Sequence, residues 1–385
     1  WQRVGPASAL PRELARAVYE AFHPFGLGGA VTRSTVFEHV GSLAELPEAT
    51  NYHLFCTPEV ARAHPAIVRA FAVTELAVDA DSRLRRIVAE SSTLERAAGR
   101  AGVQLMHHPG GTLPMRSRFP AVVTIHDIQP LDLPQYSSAL KHRYLAISLP
   151  RTVRRARGIA VPSAFVARRV IDRLGADPRR VAVIPWGPPR AAELSSEQAS
   201  SPSQRDGNDY LLYPAVTWPH KGHLALLEVM AALPEDIDLV LTGAEGPAHA
   251  AVLDAVTRLG LGNRVRHLGR LSQIELDGLY RGALAVVVPS EYEGFGMPVI
   301  EAEAAGAPVI ASDHPGLDEA CGDAALRVAT ADVAGWVAAV QSVRSDTQRR
   351  ERLVAAGRRV AATFNWTDSA RALVALHRSA WESPS

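Results

Sequence analysis

The 385 residues are enough for about two to three domains on a scale of roughly 150 residues each. With 47% hydrophobic and 21% charged residues a well-cored globular chain is expected, and the formal charge of +1 gives no global argument for nucleic acid as a partner. Two cysteines, Cys56 and Cys321, are too few and too far apart for a disulfide framework and fit a reducing compartment. No apolar run of about 20 residues occurs and the opening residues carry no secretory pattern, so a cytoplasmic chain is expected, peripheral on the inner face of a membrane at most.

The first element the pattern gives is a helix over residues 11–21. A doubly wound domain ordinarily opens on a strand and a glycine-rich turn, and neither is read before that helix. The first strand is therefore expected to be missing or irregular. Strands follow at 52–56, 72–78, 104–107, 121–125, 158–161 and 181–184, with a helix over 82–99. The Ser-rich stretch 190–209 is polar and aperiodic and reads as a linker. Beyond it, strands at 210–216, 238–242, 265–268, 285–289 and 308–311 alternate with helices at 223–233, 247–259, 273–280 and 298–305. Such alternation predicts α/β architecture with parallel sheets covered by helices. The expected organisation is two Rossmann-like doubly wound domains, 1–189 and 210–365, and a final helix, 366–385, returning to the first domain. A ligand would then sit between the domains, at the carboxyl ends of the strands.

The densest motif runs from Glu293 to Glu301, Glu-Gly-Phe-Gly-Met-Pro-Val-Ile-Glu, and follows the apolar strand at 285–289. Gly294 and Gly296 allow close backbone approach to a ligand, with Phe295 between them. Pro298 suits the first turn of a helix, whose free amides and positive dipole end make a site for a diphosphate. Glu301, about one turn in, is placed to accept from a ribose diol, and Glu293 from sugar hydroxyls.

In this setting the Glu-x7-Glu spacing resembles glycosyltransferase family 4, of GT-B fold. The resemblance extends over 210–328, including Leu-Gly-Arg-Leu-Ser at 268–272, and more weakly upstream through Thr-Ile-His-Asp at 124–127. It implies a retaining, metal-independent hexosyltransferase with a nucleotide-diphosphate sugar as donor, a hydroxyl acceptor and no cofactor. The segment Tyr-Pro-Ala…Trp-Pro-His-Lys at 213–221 is similar to mannosyl- and rhamnosyltransferase members, which favours GDP-mannose over UDP-glucose. In the family a lysine of this loop contacts the donor diphosphate, a role that falls on Lys221. Members often carry an Arg about six residues earlier; here that place holds Ala215, and His220 or the Thr217 hydroxyl is the nearest substitute. Trp218 is expected to pack in the core or hinge. Base selectivity is expected from backbone around 268–271.

His126 closes the strand at 121–125, and the resemblance places it beside the transferred sugar and the leaving diphosphate. Asp127 would orient its imidazole or start the next loop. His107 and His108 are expected in a cleft loop that shapes the acceptor pocket; no further ligand stands at metal spacing. Asp79 and Asp81 resemble the metal-binding pair of the other large glycosyltransferase fold, but precede a helix, where Asp serves as a cap. The basic stretch 141–190, from Lys141 to Arg190, is either a solvated face or a contact for anionic lipid or a phosphorylated, lipid-linked acceptor. Two other classes share the fold: a nucleotide-sugar epimerase, for which no acid–base carboxylate pair is found in the first domain, and a non-catalytic partner subunit.

Overall fold

The computed structural model describes residues 17–20, 38–76, 90–115, 117–189 and 208–382. Seven strands form the first sheet: β1 (Ala17–Glu20), β2 (Tyr52–Cys56), β3 (Ala72–Glu75), β4 (Leu105–His108), β5 (Ala121–Thr124), β6 (Gly158–Val161) and β7 (Val181–Val183). Their order is β3-β2-β1-β4-β5-β6-β7, and every pairing is parallel. Six more form the second sheet: β8 (Asp209–Pro214), β9 (Ile237–Thr242), β10 (Val265–His267), β11 (Ala285–Val288), β12 (Val309–Ser312) and β13 (Ala325–Val328). Their order is β10-β9-β8-β11-β12-β13, again all parallel.

One expectation is overturned at the start of the chain. Residues 17–20 are not helical; they form β1, inserted between β2 and β4 in the middle of the sheet. The first strand is thus present within the span read as a helix. A run as short as Ala-Val-Tyr-Glu fits either period, and the pairing partners on both sides decide it. The rest of that predicted helix, the helix at 82–89 and most of the linker, 190–207, lie outside the described residues. The final strand, β13, was not expected, because a charged residue, Arg327, interrupts its four apolar-leaning positions.

Alternate residues of the second sheet enter different cores. Tyr210 and Leu212 join one cluster with Val286, Phe295 and Ile300, whereas Leu211 and Tyr213 join another with Leu227, Leu239 and Trp336. Both faces are therefore covered, which is why β11 can be Ala-Val-Val-Val with every residue buried. Helices α1 (Ala139–Arg155) and α2 (Ala164–Leu174) flank β6 in the chain, while α3 (Met297–Ala305) follows β11. The last helix, α4 (Trp366–Glu382), lies against β5 and β6 of the first sheet.

The strand order reverses at β1/β4 in one sheet and at β8/β11 in the other. Loops leaving the carboxyl ends of strands beside such a reversal diverge and leave a crevice. The candidate site is built on loops that follow β5, β7, β8 and β11, and on the start of α1.

Candidate active site

The wall formed by the second domain begins where β8 ends. Pro214, Ala215, Val216, Trp218, His220 and Lys221 line a solvent-open cleft. Lys221 is pinned through its backbone, whose carbonyl accepts from the buried Tyr213 hydroxyl at 2.6 Å. Its ammonium lies 2.6 Å from Glu293 Oε1, the first residue of the glycine motif. Ser290 Oγ donates to the same carboxylate oxygen at 2.7 Å. Burial alone would raise the Glu293 carboxyl, but the Lys221 charge and the bonds from Lys221 and Ser290 hold it below the usual range. Burial, and then the nearby Lys221 charge, push His220 down to about 4, so its imidazole is neutral near pH 7.

The loop after Glu293 is fixed by two glycines. A Cβ on Gly294 would stand 2.6 Å from the His126 carbonyl oxygen, so only glycine lets this loop reach the opposite wall. Gly296 has φ +94 and caps α3, with Pro298 in the helix's first turn. The close approach that the loop was expected to make to a ligand is thus made, at Gly294, to the other domain. Glu301 sits one turn into α3, partly buried, and accepts from Tyr280 Oη at 2.6 Å. Burial raises its pKa to about 7 despite that bond.

The first domain supplies the facing wall. His126 leaves β5 and donates from Nε2 to the Pro109 carbonyl at 2.7 Å. A carbonyl can only accept, so Nε2 carries a proton. The imidazole lies 5.5 Å from the Trp186 ring, which in turn meets Phe295 edge-on at 5.4 Å. Asp127 starts the next turn: its Oδ1 accepts from Gln129 N at 2.9 Å, and burial raises its pKa. It orients the loop rather than the imidazole.

Direct bonds join the walls. Ser163 Oγ donates to the Gly294 carbonyl at 2.5 Å, Ala164 N to Glu319 at 2.6 Å, Tyr292 Oη to Asp132 at 3.1 Å and Tyr136 Oη to Glu291 at 2.9 Å. His126, Lys221, Glu293 and the start of α3 therefore line one cleft although they come from two domains.

Residues 38–189 match the family described as Glycosyltransferase Family 4, and residues 195–360 match Glycosyl transferases group 1. O-antigen chain mannosyltransferase B of Escherichia coli is 30% identical over 275 residues, 68% of this chain and 71% of that protein. The chain belongs to glycosyltransferase family 4.

O-antigen chain mannosyltransferase RfbU of Salmonella typhimurium is 28% identical over 57% of this family 4 chain and 60% of that protein, so several relatives are matched over little more than half their length. Among solved structures, Anabaena HepE in complex with UDP and glucose superposes with a TM-score of 0.73 at 16% identity, covering 94% of this chain and 98% of that one. Sucrose-phosphate synthase from Thermosynechococcus elongatus gives 0.73 at 19% identity, covering 94% and 98%. These likenesses establish the GT-B fold, and the sequence relatives a hexosyltransferase.

Against the reading of the sequence four placements change. Thr217 does not face the cleft: it is fully buried, and its Oγ1 accepts from Gly246 N at 2.6 Å, tying the β8 loop to the β9 loop. His107 and His108 are buried in β4 and stand away from the cleft lining. His107 instead bonds Thr124 Oγ1 at 2.8 Å and shares a 3.1 Å contact with His377 of α4, which bonds the Tyr52 hydroxyl at 2.9 Å. Trp218 is not a core residue but lines the cleft, with Lys141 Nζ 6.0 Å from its ring. The basic stretch is not one surface. Arg169 and Arg173 turn inward to Asp132, and Arg151 and Arg155 bind the Met115 carbonyl. Tyr136, Trp186 and Tyr292 line the cleft without having been read from the sequence, and Lys141, read only as the start of the basic stretch, lines it too. Asp79 and Asp81 lie outside the described residues. Among the described residues no helix is long and apolar enough to cross a membrane.

Proposed function

We propose that the chain transfers a hexose from a nucleotide-diphosphate sugar to a hydroxyl acceptor, with retention at the anomeric carbon and without a metal ion. The carrying observation is the shared cleft: Lys221 and the start of α3 come from the second domain, and His126 faces them from the first. A departing diphosphate needs positive charge placed in advance, and an ammonium with the positive dipole end of α3 supplies it without Mg2+. The donor-binding set is Lys221, Gly294, Phe295, Gly296 and Glu301. Glu301 takes the ribose hydroxyls, and Glu293 exchanges its bond with Lys221 for sugar hydroxyls when the donor enters. His126 stands beside the transferred sugar and stabilises its oxocarbenium-like transition state. Closure of the two walls on a bound donor excludes water and limits wasteful hydrolysis.

GDP-mannose is the favoured donor, supported by the two O-antigen mannosyltransferases among the relatives; UDP-glucose is the competitor. The acceptor is anionic or lipid-linked, reached at the inner face of a membrane. That reading is supported by Leu140 and Ile147, 80% and 65% exposed on α1, beside the exposed Arg143 and Arg154.

The test is a transfer assay with GDP-mannose and UDP-glucose in excess EDTA, the product anomer being read by NMR. Transfer with retention is expected in EDTA. Activity lost in EDTA and restored by Mg2+ or Mn2+ overturns the metal-free reading and returns attention to Asp79 and Asp81.

A further inference from the structure

Of the 41 Lys and Arg side chains only two are lysines, Lys141 and Lys221, and both line the same cleft. They come from opposite walls. Lys221 follows β8, whereas Lys141 stands in the first turn of α1, after the Ser138 cap, whose Oγ accepts from Lys141 N at 3.3 Å. A cation in the first turn opposes the helix dipole, so the stability of α1 gives no reason for a lysine there. Its ammonium crosses to the second domain and lies 6.0 Å from the ring of Trp218, in the Lys221 loop. The preceding turn is held to the same wall by Tyr136, through Glu291 and through its ring, 6.3 Å from His220. Both lysines are near enough to Asp127 and His220 to lower their proton affinity, so the two ammonium groups converge on one region.

Lys221 is matched by Glu293, so a diphosphate entering between the walls meets that ammonium already paired with a carboxylate. We propose that Lys141 is a second anion-binding residue of the donor site, contacting the donor diphosphate from the first domain. This rests on the donor reading above. Binding of the donor then draws on both walls, and the diphosphate itself bridges the domains.

Calorimetric titration tests this with the unaltered chain, Lys141→Ala and Lys141→Arg, against GDP, UDP and the corresponding monophosphates, without acceptor. The alanine variant should bind the preferred diphosphate about tenfold more weakly or worse and lose most of the preference for diphosphate over monophosphate. The arginine variant should recover most of that affinity. Melting curves of the three proteins check that each is folded. Equal diphosphate affinity in the unaltered chain and the alanine variant overturns the inference. So does a variant that raises only the KM for acceptor, which would give Lys141 to the acceptor instead. If the unaltered chain binds no nucleoside diphosphate at all, the donor reading itself fails, and this inference falls with it.

Discussion

Lys221 and Glu293 form a 2.6 Å ion pair between the β8 loop and the glycine motif, so the cation expected to meet the donor is already matched by a carboxylate. Both side chains are mostly buried, at 20% and 10% exposure, so neither can lose its partner cheaply. Removing one member of such a pair costs about 3–5 kcal/mol, because the other charge is left buried and uncompensated. Lys221→Met should therefore destabilise the second domain on that scale, as denaturant unfolding will show. Lys221→Met combined with Glu293→Gln should recover much of the loss. A double variant no more stable than the single one would mean the pair is not coupled in solution.

Glu293→Gln alone separates the two roles assigned to this contact. Freed from the carboxylate, Lys221 gains charge for a phosphate, so bare nucleoside diphosphate should bind at least as tightly as to the unaltered chain. Turnover should fall by about a hundredfold or more, because an acceptor for sugar hydroxyls is removed in the transition state. Loss of nucleotide affinity in this variant would place Glu293 in the nucleotide site.

Glu301 carries a pH prediction. Its pKa is raised to about 7 by burial, so near neutral pH much of the empty protein holds it protonated. Ribose hydroxyls donate best to the carboxylate. Nucleoside-diphosphate affinity should therefore fall as pH drops below about 7, by up to about tenfold per pH unit. In Glu301→Gln this dependence should vanish and affinity be weaker at high pH. The stability linkage has its own sign: a carboxyl whose folded pKa is raised above 4.5 loses stability as pH rises from about 4.5 through about 7. Calorimetry across that range reads the first effect and melting temperatures the second.

The parallel α/β plan was legible because buried strands such as β11, Ala-Val-Val-Val, are almost wholly β-branched runs. The glycine motif was legible for a related reason: Gly294 and Gly296 meet backbone constraints that only glycine satisfies, and such constraints leave a local mark. Tyr136 and Trp186 left none, since their neighbours in the cleft come from the other domain and from distant loops. Lys141 was legible only as the start of a basic stretch, and the scarcity of lysine was the signal that could have singled it out. Thr217 and His107 were misplaced for the opposite reason. A residue type suited to a site says nothing about which way it points, and here the Gly246 amide and the α4 histidine claim them.

The buried histidines of the first domain make an acid-stability prediction. Burial lowers the pKa of His377 to about 3 and that of His107 well below 6.5, so both are neutral in the folded chain. In the unfolded chain they titrate near 6.5. The unfolded state thus binds more protons below that pH, and stability drops as pH falls from about 6.5 toward about 3. His377→Gln keeps a hydrogen-bonding side chain on α4 but does not titrate. It should be less stable at pH 8 and show a flatter acid limb, read by melting temperature across that range. An acid limb unchanged in this variant would assign the titration elsewhere.

His126 and Lys221 should divide the work on the donor between them. Lys221 acts on the diphosphate whether or not the bond to the sugar is breaking, so Lys221→Ala should weaken nucleoside-diphosphate binding and slow transfer together. His126 faces from the other wall, its Nε2–H committed to the Pro109 carbonyl. Its contribution comes chiefly as charge develops in the transition state. His126→Ala should therefore leave nucleoside-diphosphate affinity within about twofold while lowering kcat and kcat/KM in parallel. His126→Gln should regain stability, because its amide can still donate to Pro109, without regaining turnover. Titration of each variant with nucleotide, followed by transfer rates on the same preparations, reads both halves. If His126→Ala loses nucleotide binding as severely as Lys221→Ala, the division is wrong and His126 belongs to the nucleotide site. If His126→Gln restores turnover as well as stability, the imidazole serves only to hold the Pro109 loop in place.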